Sequence, residues 1–143
     1  KKGKKNTSVK NGKHRVSKFE EEITSFFLEL VILIKLYHWN TPSYAAHKAS
    51  DELYDALNKH MDKFMEVLFG KINRRLTFKN QTIKLSNISS KKEIISIIHK
   101  SKSYLVNLNK NRFLSQMSNP DLFNIRDEIL SDLNQFLYLL TFE

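Results

Sequence analysis

Apolar residues recur every three or four positions through most of the chain, and four stretches keep that period long enough to form helices. Ser17 followed by Glu20 makes a capping-box pattern ahead of the run beginning at Phe19, so a first helix is predicted over 18–39. Asn40-Thr41-Pro42 is a short stop and restart, with Thr41 as N-cap and Pro42 at the first helical position. A second helix then runs over 42–69, with Gly70 as its C-terminal stop. Residues 70–90 are polar with β-branched alternation and read as an extended connection. Ser90 and Glu93 open a third helix over 91–116, and Asn119-Pro120-Asp121 opens a fourth over 120–141. The pattern predicts an all-α four-helix bundle over 18–143 with one long crossover connection between the second and third helices. A plain up-down bundle is the simpler alternative path for that connection.

Composition agrees with long helices, since only three Gly and two Pro occur. The 143 residues, 41% hydrophobic, suffice for one domain with a core. Without cysteine there is no disulfide framework, thiolate metal site or thiol nucleophile, and a reducing compartment is expected. The most apolar run, 26–39, contains Glu29 and Lys35 and is too short and too charged for a transmembrane segment. No signal-peptide pattern is visible. The net charge of +9 is unevenly spread. Residues 1–18 hold eight of the Lys and Arg residues (Lys1, Lys2, Lys4, Lys5, Lys10, Lys13, Arg15 and Lys18) and no acid. The remainder is close to neutral. Residues 1–17 thus read as a basic flexible tail suited to DNA or another polyanionic surface.

The second helix carries the candidate chemistry. With His47 at zero on a helical wheel, Asp51, Asp55, Asp62 and Glu66 fall at about 40°, 80°, 60° and 100°, while Leu53, Leu57, Met61, Phe64 and Leu68 fill the opposite arc. A solvated face is the ordinary reading of such a stripe. His47 with Asp51, and Asp62 with Glu66, are each one turn apart, and each pair has the donor types for an ion. The pairs are offset by about 22 Å along the helix, too far for one ion in one chain. An antiparallel second copy of the helix, about a two-fold near Ala56–Leu57, would bring Asp62 and Glu66 of one subunit to His47 and Asp51 of the other. The tight turn at 40–42 would fold His38 back to the level of His47.

The segment His38-Trp39-Asn40, followed by His47, Asp51, Asp62 and Glu66 at intervals of four, eleven and four, resembles the signature of the Dps-type mini-ferritins. The resemblance covers about the first two helices and matches the rest by layout alone. It implies a ferritin-like bundle and a ferroxidase centre shared between subunits, which oxidises Fe(II) with peroxide or dioxygen. The metal ligands would be His38, His47, Asp51, Asp62 and Glu66. It also implies a two-fold dimer within a shell of twelve subunits, and DNA contact through the tail in a cytoplasmic, nucleoid-associated protein. The segment also resembles ferritin-like proteins of large DNA viruses. Three departures stand out. The His38-to-His47 interval is three residues shorter than in the mini-ferritins, the Gly of that loop is missing, and Val67 stands where an Arg usually follows the Glu.

Imidazoles and carboxylates suit iron, and also zinc or manganese. The rival expectation is a structural virion protein, using the bundle to contact capsid proteins or a packaged genome without catalysis. An intramolecular ferritin site would need Glu-x-x-His pairs, and none occurs; Glu128 and Asp132 have no histidine nearby in sequence. His60 and His99 read as packed or partly exposed, and Tyr37 and Trp39 as bundle packing.

Overall fold

A computed structural model describes residues 11–142, with side chains from Phe19 onward. It is all-α: α1 (Asn11–Asn40), α2 (Tyr44–Ile72), α3 (Lys91–Asn107), α4 (Arg112–Ser115) and α5 (Pro120–Leu139), with a 3₁₀ turn at Leu108–Lys110. Helix α1 packs on α2, α2 on α5, α5 on α3, and α3 on α1, while α2 and α3 occupy opposite corners. One core unites them, built on Ile23, Ile34, Leu57, Leu68, Ile94, Ile98, Leu122 and Leu133, all of which are buried. Among the described residues no helix is long and apolar enough to cross a membrane.

The connection of 73–90 runs the length of the bundle. It leaves α2 beside the start of α1, where Arg74 Nη2 reaches Glu20 Oε1 at 2.7 Å. It arrives beside the end of α1, where Asn40 Nδ2 donates to Ile88 O at 3.3 Å. At the rise of an α-helix, α2 is about 43 Å long, and eighteen extended residues can span it. Helix α3 therefore starts at the end of the bundle where α2 starts. Lys91 Nζ donates there to Phe142 O, beyond the end of α5.

Several predicted boundaries move, each for a physical reason. The first helix begins by Asn11 and not at 18, so the tail of 1–17 is helical over its last residues; its first ten lie outside the described residues. Extending a formed helix costs far less than starting one. Glu20, expected to close a capping box, instead pairs with Arg74 and is buried. The N-cap of α2 is Ser43, whose hydroxyl accepts from Ala46 N, not Thr41. Gly70 does not stop α2: the helix continues to Ile72, and Asn73 takes the left-handed cap at φ 54. The third helix ends at Asn107 rather than 116, and a 3₁₀ turn and α4 fill the difference. Asn111 caps α4 by accepting from Leu114 N, so this side chain supports a fresh start. Trp39 is not bundle packing: it is 67% exposed, whereas Tyr37 beside it is fully buried.

Candidate metal centre

Pro42 shapes the turn between α1 and α2. The carbonyl of His38 lies in the last turn of α1 and would ordinarily accept from the N–H four residues on, but proline has none. His47 supplies the missing donor, with Nδ1 at 2.9 Å from His38 O. The gesture is returned: His38 Nδ1 donates to His47 O at 2.9 Å and lies 3.2 Å from Ser50 Oγ. The two imidazoles stack with centroids 3.9 Å apart and planes 18° from parallel. The shortened turn thus brings His38 onto His47.

This clasp fixes chemistry as well as geometry. A carbonyl oxygen only accepts, so each Nδ1 carries its proton, and each neutral ring keeps its lone pair on Nε2. Metal-binding histidines usually stand in this arrangement, with the second nitrogen tied to a backbone carbonyl or carboxylate. His38 Nε2 faces Asp51 Oδ1 at 3.9 Å. Two ligands of one small ion held at about 2.1 Å stand roughly 3 Å apart, so the Asp51 side chain must swing in by about 1 Å. It is half exposed and free to do so.

Asp62 and Glu66 lie farther along α2, exposed, and about 16 and 22 Å respectively from the level of Asp51 at the helical rise. They do not join the histidines within the chain. Among the described residues no three His, Cys, Asp or Glu side chains are arranged to hold a metal ion alone. Among those residues neither Asp62 nor Glu66 has a hydrogen-bond or ion-pair partner. Asp62 borders a 220 Å³ cleft between α1 and α2, with Leu28, Val31, Met61 and Met65. Leu28 there is 51% exposed. Of the predicted tail contacts, Lys1, Lys2, Lys4, Lys5 and Lys10 lie outside the described residues, and Lys13, Arg15 and Lys18 fall on the first turns of α1.

One pair was invisible to sequence reasoning. His60 Nδ1 on α2 and Asp132 Oδ2 on α5 are 2.5 Å apart and largely buried. They are far apart in the chain, and only the antiparallel packing of α2 on α5 unites them. Asp132 therefore does have a histidine beside it, though the two together do not make a three-ligand site. His99 on α3 is exposed.

Residues 38–140 match the model of a family described as a family of unknown function, DUF5856. The chain belongs to the DUF5856 family. The matched segment of this DUF5856 chain begins at His38 and includes all five candidate ligands, His38, His47, Asp51, Asp62 and Glu66. No curated protein and no solved structure matches the chain.

Proposed function

We propose that the chain is a ferritin-like, Dps-type protein that binds Fe(II) at a site shared between two subunits, oxidises it, and holds DNA through its basic tail. The observation that carries this reading is the clasp of His38 and His47, which leaves an Nε2 lone pair on each ring and sets that of His38 beside the carboxylate of Asp51. Numbering adds support. His47 and Glu66, and likewise Asp51 and Asp62, are symmetric about the Ala56–Leu57 peptide. An antiparallel two-fold through that point would therefore pair each imidazole level with a carboxylate level twice per dimer. The exposed Leu28 beside Asp62 gives the same face an apolar component.

The path of 73–90 along the bundle, with α2 and α3 at opposite corners, supports ferritin-like connectivity over a plain up-down bundle. Iron is the substrate. His38, His47 and Asp51 would take the first ion, and the second subunit's copies of Asp62 and Glu66 would complete it and hold the second. Two Fe(II) each lose one electron; one peroxide accepts both and, with two protons, leaves as two waters. Carboxylates stabilise the Fe(III) product by charge.

The test is an anaerobic Fe(II) titration followed by peroxide, beside a His47→Ala, Asp62→Ala double variant. The expected result is about one to two irons per subunit, oxidised faster than in buffer and lost in the variant. Equal behaviour of the two proteins would reject the site.

A further inference from the structure

The near-neutrality of the bundle conceals a strong segregation of charge. Between Lys71 and Asn119 the chain carries eleven Lys and Arg and a single acid, Glu93. The elements α1, α2 and α5 hold nearly all the remaining acids. The connection and α3 lie together, and α3 stands at the corner opposite α2. The bundle therefore has a basic side, over the connection and α3, and a side nearer to neutral that carries the candidate ligands of α2.

The basic side has structure beyond its charge. Lys84 from the connection, with Lys92 and Lys100 from α3, lines one 440 Å³ groove together with Ser86 and Ser96. Lys92, Ser96 and Lys100 follow one another at four-residue intervals, so the two ammonium stems leave α3 about 12 Å apart on one face. All three lysines have no ion-pair partner among the described residues; the acids Glu29 and Glu93 share the groove wall without an ion pair to them. The exposed positions of α3 along the groove are Lys92, Glu93, Ser96 and Lys100, and the exposed apolar side chains nearby, Leu85 and Val106, lie outside its lining. Ammonium and hydroxyl donors along a groove are the groups that contact a nucleic-acid backbone.

We propose that the groove between α1, α3 and the connection is a second nucleic-acid surface, gripping phosphates through Lys84, Lys92 and Lys100 without reading sequence. It is built on the folded bundle and acts whether or not residues 1–18 contribute. It stands also independently of iron binding, since it uses the opposite corner of the bundle.

The test is fluorescence anisotropy of the full chain on duplex DNA of about three helical turns, over a series of salt concentrations. Three variants are compared: Lys84→Glu, Lys92→Glu, Lys100→Glu together; Lys48→Glu, Lys59→Glu, Lys63→Glu together, with the same change in net charge on α2; and the tail lysines changed to Gln. The groove variant should bind at least about tenfold more weakly at ~0.1 M salt, and its log–log salt slope should fall by about three. The α2 variant should lose much less. Should the charge reversals disturb folding, the Lys→Gln version of the groove variant must weaken binding in the same direction. Equal losses in the groove and α2 variants would overturn the proposal, leaving net charge alone. Loss confined to the tail variant would overturn it too. So would unchanged DNA binding alongside lost binding to phosphatidylserine vesicles, an outcome that would assign the groove to membranes.

Discussion

Replacing His47 by alanine tests the clasp directly. The substitution removes the ring donor to His38 O, and with Pro42 four residues on that carbonyl loses its partner. An unpaired, partly buried carbonyl costs about 1–3 kcal/mol, and the lost ring stacking adds about 0.5–1.5 kcal/mol. His38→Ala removes a reciprocal bond of about 1 kcal/mol, the same stacking and the packing of a buried ring. Each single variant should therefore lose about 2–3 kcal/mol. The stacking is shared, so the double variant should lose about 1 kcal/mol less than the sum. For a domain of this size that corresponds to roughly 6–10 °C in Tm for each single variant. Urea unfolding followed by circular dichroism, with a chelator present, measures the clasp rather than any bound ion. A loss below about 0.5 kcal/mol for His47→Ala, or strict additivity of the pair, would refute the reasoning.

Five further outcomes follow from particular residues. Tyr37 is fully buried with its hydroxyl unpartnered, so Tyr37→Phe should leave stability unchanged or raise it by about 1 kcal/mol in the same unfolding assay. Gly70 sits inside α2 with nothing near an added Cβ, and Gly70→Ala should stabilise by about 0.5–1 kcal/mol; Asn73→Ala, at positive φ, should destabilise by about 1 kcal/mol. Burial, with Glu22 adding to it, pushes the Tyr104 phenol up to about 12. A raised value means stability that is complete below the ordinary tyrosine range and lost as pH climbs through that of the folded state; ultraviolet titration of Tyr104→Phe should lack that late phenol. The bond from Lys71 holds the Asp121 carboxyl below its ordinary value, so its small contribution is present above that value and lost as pH falls. Asp121→Asn should flatten this part of an acid-unfolding curve.

The periodicity of apolar positions announced four helical segments and an all-α bundle, because helix packing demands a stripe every turn. Boundaries were less legible. Gly70 looked like a stop only because its surroundings were unknown; on an open helix face it continues the helix, and Asn73 takes the αL position. Glu20 was lost as a cap to Arg74, a partner more than fifty residues away that no local pattern announces. The candidate site shows the same division. The spacing of His47, Asp51, Asp62 and Glu66 places them on one face from sequence alone. That Pro42 would orphan the His38 carbonyl, and that two rings would fill each other's vacancies, required the turn itself. The pairing of His60 with Asp132, and the gathering of basic residues on one side, depend on which helices are neighbours.

Subunit complementation tests the shared site most directly. One variant lacks His47 and Asp51, the other lacks Asp62 and Glu66, and neither should bind Fe(II) tightly alone. Unfolded together and refolded at equal amounts, they should form mixed dimers in about half of cases, each with one of two sites intact, restoring about a quarter of wild-type tight sites and peroxide oxidation. Recovery at that level is what an inter-subunit centre predicts. No recovery in verified mixed dimers, or full binding by either variant alone, would contradict it.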